Sequence, residues 1–167
     1  MSSTPASDSA RFLESIGPRL RAYLYYAGAR PDDIEDLAQD ACLQAHRHRE
    51  ELASHPDPVA WTLLVARNAL RNRAKRASRE ETAKAALRDV RSAPSPLEEA
   101  EEAELGGAVR EALGALPEDQ REAVAGKIWG GLTWSQIGEG LGVSDDTAAR
   151  LFARGLRALR PKLGRFA

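Results

Sequence analysis

The sequence predicts an all-α fold made of two small helical domains, and three observations lead to this prediction. The helix-favouring residues Ala, Leu, Arg and Glu make up just over half of the 167 residues. The β-branched residues are scattered, and no segment alternates as a strand does. Apolar residues recur at helical spacing on both sides of a proline-containing, charged stretch. We therefore expect a disordered N-terminus at 1–9, helical domains at 10–80 and 105–167, and an acidic linker at 81–104.

The first domain should be a bundle of three helices. The first helix runs from about Ser9 to Ala27, and the second opens at Pro31, which suits the first helical position. Asp32 and Asp33 follow in its first turn, where the helix dipole favours carboxylates. Its expected buried stripe is Ile34, Leu37, Ala38, Ala41 and Ala45. A third helix follows a loop at 54–58, and its expected core residues are Trp61, Leu64, Val65 and Leu70.

The second domain carries the pattern of a helix-turn-helix. A helix at about 105–116 is followed by another that starts at Pro117 and ends at two glycines, 130 and 131. Thr133 and Gln136 then form a capping box that opens a short helix ending at Gly142. Ser144 is the expected N-cap of a long last helix, so the chain makes two helices joined by a tight turn. The expected core face of the last helix is Ala148, Phe152, Leu156, Leu159 and Leu163.

The charges are segregated, although their sum is only −1. Six cations and no acid lie between positions 67 and 79, and six more cations without an acid lie between 150 and 165. Five glutamates at 98–104 separate these two basic stretches. Binding depends on local fields rather than on net charge, so the pattern indicates two separate contacts with a polyanion.

Several classes of function find no support in the residues. Cys42 is the single cysteine, which excludes an internal disulfide and is typical of inert packing. His46, His48 and His55 form no ligand cluster, so we expect no metal and no cofactor. We find no nucleophile with a base, no paired acids and no phosphate-binding glycine loop, and hence expect no enzyme. Without a signal sequence or a membrane-length apolar run, the protein is expected in the cytoplasm and not inserted in a membrane.

The two basic helices are the candidate nucleic-acid surfaces. Arg150 and Arg154, one turn apart on the last helix, suit contacts to guanines or phosphates. The basic end of the third helix suits a phosphate backbone, with Asn68 available to hydrogen-bond a base. A solvated basic face that binds nothing is the alternative interpretation of both helices.

Four motifs resemble the sigma factors of the extracytoplasmic-function type, the smallest branch of the sigma-70 superfamily. Residues 32–40 resemble the family's acidic stretch ending Asp-Leu-x-Gln-Glu, and 58–68 resemble its Trp-Leu-x-x-Ile-Ala-Arg-Asn helix. Residues 116–122 are similar to Leu-Pro-x-x-x-Arg-Glu, and 131–138 to Gly-Leu-Ser-Tyr-x-Glu-Ile-Ala. The resemblance covers about 10–80 and 105–163. It implies a sigma-2-type bundle and a sigma-4-type helix-turn-helix domain.

The resemblance also implies partners and roles: core RNA polymerase, promoter DNA and an anti-sigma factor. The face that would dock on the polymerase is Asp36, Gln39, Asp40 and Leu43. The residues that would bind the unwound −10 strand, together with a loop at about 51–58, are Arg67, Asn68, Arg71 and Lys75. Those that would bind the −35 element are Ser144, Asp145, Thr147, Arg150, Arg154 and Arg157.

The chain departs from the family pattern at several positions. Cys42 and His46 stand where Phe and Trp are usual, and Asn72 stands where Asp is common. Arg150-Leu151 replaces Ser-Arg, which moves the cation by about 100° around the last helix. Two other functions remain alternatives at this point. One is a helix-turn-helix regulator that binds duplex DNA without polymerase, and the other is an adaptor that binds polymerase without reading a promoter.

Overall fold

A computed structural model describes residues 5–83 and 100–164, with side chains for 10–81 and 104–164. Most of these residues are helical. These ranges contain eight helices and no strand, which confirms the predicted all-α fold. The helices are α1 (Pro5–Ala27), α2 (Pro31–Arg47), α3 (Arg49–Ala53), α4 (Pro58–Ala83), α5 (Ala100–Gly114), α6 (Glu118–Ile128), α7 (Trp134–Leu141) and α8 (Asp145–Leu163). They divide into two compact units, of which the second comprises α5–α8 with Tyr25–Gly28.

The core of the first unit lies between α1, α2 and α4. Leu20, Tyr23 and Leu24 of α1 are fully buried. Four of the five residues in the expected stripe of α2 are buried, Leu37, Ala38, Ala41 and Ala45, whereas Ile34 in the first turn is only partly buried. Pro31 occupies the first turn of α2, with Asp32 and Asp33 beside it, as the sequence predicts.

The core face of α4 differs from the prediction. Its buried apolar residues are Ala60, Leu63 and Ala66, whereas the larger Trp61, Leu64, Val65 and Leu70 are only partly buried. α4 packs against α2, whose buried face is also mostly alanine. Small side chains let neighbouring helices approach closely, which accounts for the two alanines on the buried face of α4. The predicted core face therefore lay too far round the helix.

Helix boundaries also differ from those predicted. A short helix, α3, occupies part of the expected loop at 51–58, so the first unit has four helices and not three. α1 begins at Pro5, so residues 5–9, which we expected to be disordered, are helical. α4 extends to Ala83, in the part of the linker (81–90) that we expect to be partly helical, whereas α5 begins at Ala100, where the sequence predicts no helix. The remainder of that linker, 84–99, lies outside the described residues.

The second unit is built around α8. Ala112, Leu113, Leu116, Val124 and Leu159 form its apolar cluster, with Phe152 and Leu163 partly buried against it. Leu156, expected in the core, is 40% exposed, so that prediction was wrong. The reason is Gly155: a Cβ there would lie 2.7 Å from Val124 Cγ2 of α6. Because α8 lies this close to α6 at Gly155, the side of α8 that carries Gly155 and Leu159 faces α6, and Leu156 faces outward.

The predicted helix-turn-helix is confirmed between α7 and α8. The Thr133 hydroxyl accepts a hydrogen bond from the Gln136 backbone N–H (3.2 Å), and the Gln136 amide oxygen accepts one from the Thr133 N–H (2.9 Å). Gly142 ends α7 in the left-handed conformation (φ 71°), where glycine is favoured. The Ser144 hydroxyl then caps α8 by accepting from the Thr147 N–H.

Among the described helices, none is both long and apolar enough to cross a bilayer.

We predict that Gly155→Ala destabilises the second unit. The added methyl group has no room beside Val124, and overpacking of this kind costs about 1–3 kcal/mol. Gly107→Ala in α5 is the matched control, because its Cβ would meet nothing within 4 Å. There, removal of a helical glycine should stabilise the chain by about 0.5–1 kcal/mol. Urea denaturation followed by circular dichroism measures both changes. A Gly155→Ala variant as stable as the wild type would contradict the close packing.

We predict that Cys42 reacts slowly with alkylating reagents in the folded protein. Its side chain on α2 is partly buried, and burial raises the pKa of the thiol, so little reactive thiolate forms at pH 8. Reaction with iodoacetamide should be roughly tenfold or more slower than in the urea-unfolded chain. Because this is the single cysteine, one added mass per chain reports on it alone. Equal rates in the folded and unfolded chain would show an accessible thiol instead.

Candidate protein and nucleic-acid interfaces

The exposed side of α2 presents one mixed polar and apolar stripe. Asp36, Gln39, Asp40 and Leu43 are all exposed, and Leu43 keeps 46% of its surface accessible. Their spacing places them on one side of the helix, across from the buried alanines. The structure therefore brings together the four residues predicted to bind polymerase. Two carboxylates beside an open leucine suit a partner with cations around an apolar contact.

An ion pair from α1 supports this stripe. Arg21 and Glu35 are joined by two hydrogen bonds, Nε to Oε2 at 2.9 Å and Nη2 to Oε1 at 3.1 Å. The hydrogen bond from Arg21 lowers the pKa of the Glu35 carboxyl. The Gln39 amide donates to the same carboxylate at 3.5 Å, so α1 helps to orient a docking residue. No pattern in the sequence points to Arg21 or Glu35, because residues 14 apart on different helices leave no local signal.

A second cation approaches the stripe from α4. The Arg73 guanidinium lies with Nε 3.6 Å from Asp33 Oδ1 and with Nη2 3.8 Å from Asp36 Oδ2. Asp36 nevertheless remains 68% exposed. A carboxylate has about four acceptor positions, so Asp36 can bind a partner while Arg73 is beside it. Arg73 is one of the six cations at 67–79 that were expected to contact a polyanion, and it lies instead beside two carboxylates of α2.

The residues predicted to bind the −10 strand separate into two groups. Asn68 and Lys75 are exposed and Arg71 is partly exposed, and their spacing puts all three on one side of α4. Arg67 is only 5% exposed, next to the buried Ala66, so it is not placed for direct contact in this structure. Its Nη1 donates to Asn68 Oδ1 at 3.4 Å. Arg67 is therefore better placed to orient Asn68 than to touch a nucleic acid itself.

The loop that precedes α4 is held by its own polar contacts. The His55 ring nitrogen Nδ1 accepts from the Asp57 N–H at 3.0 Å, and Asp57 Oδ1 accepts from the Ala60 N–H at 2.9 Å. The His48 ring lies 5.5 Å from the Trp61 ring. These contacts hold the segment between α3 and α4 in a defined shape next to α4, the helix that carries Asn68.

The outer side of α8 is a row of guanidinium groups. Arg150, Arg154 and Arg157 are exposed and follow one another at intervals of four and three residues, across from the buried Ala148, Gly155 and Leu159. Ser144 and Thr147 lie at the helix start, with their hydroxyl oxygens 3.0 Å apart. Asp145 is exposed in the first turn but lies off the arginine row. Asp146, which is not among the predicted −35 residues, lies one turn before Arg150 on that row.

Comparison with known families matches both units. Residues 12–80 match the family described as sigma-70 region 2, and residues 106–159 match sigma-70, region 4. A helix-turn-helix regulator that binds DNA alone would not account for the first match. The two matches follow in the order that the sequence motifs predict.

Curated relatives and a solved structure agree with these matches. The chain is 32% identical to the ECF RNA polymerase sigma factor SigF of Caulobacter vibrioides, over 95% of this chain and 88% of that protein. It is 30% identical to the ECF RNA polymerase sigma factor EcfG of Rhodopseudomonas palustris, over 72% of this chain and 66% of that one. The fold is similar to the sigma factor RpoE of Bartonella quintana, solved with the anti-sigma factor NepR, with a TM-score of 0.75, 22% identity, and coverage of 94% and 97%.

Proposed function

Because the chain belongs to the extracytoplasmic-function sigma factors of the sigma-70 family, and so is an RNA polymerase sigma factor, we propose that its two units divide promoter recognition between them. The first, at about 10–80, docks on core polymerase and binds the −10 element, and the second, at about 105–167, binds the −35 element. The observation that carries this assignment is the contrast between an exposed acidic stripe on α2 and an exposed arginine row on α8.

Docking on polymerase is assigned to Asp36, Gln39, Asp40 and Leu43. The two carboxylates attract a basic surface and fix its register, and Leu43 adds apolar area at the same place. Glu35, held by Arg21, restrains the Gln39 amide before the partner arrives. A restrained side chain loses less entropy on binding, which favours the complex.

Capture of the −10 strand is assigned to Asn68, Arg71 and Lys75, with Arg67 as a positioning residue. Two cations on one side of α4 suit consecutive phosphates, and the Asn68 amide can donate to and accept from a base edge. An unwound strand exposes base edges that a duplex hides, so this helix and the loop before it can select a melted sequence.

Binding of the −35 element is assigned to α8, placed in the major groove as the second helix of its helix-turn-helix. Arg150, Arg154 and Arg157 can bind guanines or phosphates. Ser144, Asp145 and Thr147 lie at the helix start, where the two hydroxyls can hydrogen-bond a phosphate or a base edge and the Asp145 carboxylate can accept from a cytosine amino group.

The solved structure of the similar sigma factor RpoE also contains an anti-sigma factor, which suggests a partner of the same class for this chain. Such a protein would cover the docking and DNA-binding surfaces until a signal releases it.

We further propose that the chain works in the cytoplasm, where its polymerase and promoter are, and that it catalyses no reaction and needs no cofactor or metal of its own.

We predict that the chain directs run-off transcription by core polymerase from a subset of genomic promoter fragments. Joint substitution Asp36→Lys and Asp40→Lys should abolish these transcripts, because reversed charges repel the basic docking surface. Joint substitution Glu14→Lys and Glu111→Lys, at exposed positions that belong to neither proposed surface, makes the same change in net charge and should retain these transcripts. Polymerase binding without any transcript would favour the adaptor. No polymerase binding would leave only a DNA-binding regulator.

We predict that Arg154→Gln weakens promoter binding by the holoenzyme and lowers its salt dependence. Loss of one phosphate contact should reduce the slope of log affinity against log salt by about one. Lys162→Gln is the control, since Lys162 is exposed on α8 but lies off the arginine row. Affinities at several salt concentrations measure the slope. Identical slopes for the two variants would remove Arg154 from the interface.

A further inference from the structure

A polar groove of about 460 Å³ runs between α2 and α4, alongside the proposed docking stripe. Asp36, Gln39 and Asp40 line it from α2. Asn72, Arg73 and Arg76 line it from α4. Three of the four proposed docking residues therefore share a cleft with a helix that we have so far assigned to DNA.

The two walls of the groove carry opposite charges. The α2 wall has two carboxylates, and the α4 wall has two guanidinium groups. Arg73 already lies beside Asp33 and Asp36. Arg76, one turn further along, is exposed. A partner that enters the groove therefore meets Arg76, an exposed cation on the α4 wall.

The groove side of α4 is distinct from its −10 side. At about 100° per residue, Ala69, Asn72, Arg73 and Arg76 centre roughly 120° away from Asn68, Arg71 and Lys75. One partner can therefore occupy the groove while a nucleic-acid strand follows the other side. Lys75 and Arg76, although adjacent in sequence, belong to different surfaces.

We propose that the docking site for polymerase has two walls and that Arg76 binds an acidic side chain of the polymerase. This inference rests on the proposed function. A purely basic segment that reached Asp36 and Asp40 would be repelled by Arg76 on the facing wall, since Arg73 is already beside Asp33 and Asp36. A segment with cations toward α2 and an acid toward Arg76 satisfies both walls. The partner is therefore a polymerase segment of mixed charge, and the second wall rejects basic segments that lack the acid.

The test compares three charge reversals on α4 in the full-length chain. Arg76→Glu should weaken binding to core polymerase roughly tenfold, because it places an acid against the partner's acid. Lys75→Glu should leave the affinity for core polymerase within about twofold of the wild-type value. It should nevertheless reduce run-off transcription at saturating polymerase. Arg79→Glu, at another exposed position of α4, makes the same charge change and controls for long-range electrostatics. Arg76→Gln should show a smaller loss of affinity in the same direction, and thermal melts check that every variant folds.

Two results would overturn the inference while leaving the proposed function intact. One is an Arg76→Glu variant that binds polymerase as tightly as Arg79→Glu does. The other is a loss confined to transcription at saturating polymerase, which would make Arg76 a DNA contact like Lys75. Failure of the wild-type chain to bind core polymerase would instead refute the proposed function itself and the groove assignment with it.

Discussion

The packing of α2 against α4 fixes the direction in which the polar stripes of the first unit face. Ala38, Ala41 and Ala45 are buried on α2, as are Ala60 and Ala66 on α4. Small side chains allow close approach, and close approach leaves each helix little freedom to rotate. Once the buried faces are set, Asp36 and Asp40 must point outward, and Asn68 and Lys75 must lie away from α2. The polar residues thus owe their placement to residues with almost no chemistry of their own.

Gly155 has the same role in the second unit. With no side chain, it lets α8 lie against Val124 of α6, and this contact sets the rotation of the whole recognition helix. The arginine row then faces outward because it is opposite the glycine. The turn before α8 is held separately, by the Thr133–Gln136 capping box and the left-handed Gly142. Position and rotation of α8 are therefore determined by different residues.

Local signals in the sequence were sufficient for much of this fold. The capping box, the Ser144 cap and four of the five residues of the α2 stripe follow from short-range spacing and are present as predicted. The core face of α4 and the exposure of Leu156 were predicted wrongly, because they depend on how closely a neighbouring helix approaches. The contacts of Arg21 with Glu35 and of Arg73 with Asp33 and Asp36 join distant positions, which no spacing rule detects. The burial of Arg67 likewise became visible only in three dimensions, since its neighbour Asn68 is exposed.

The separation between the residues that hold α8 and those on its outer side has an evolutionary consequence. Thr133, Gln136, Gly142 and Gly155 secure the helix, while Arg150, Arg154 and Arg157 occupy its exposed surface. Substitutions on an exposed surface away from caps and cores usually change stability little. Under the proposed function, duplicated copies of such a gene can therefore diverge at the arginine row and acquire new promoter preferences without first having to rebuild the residues that hold the helix.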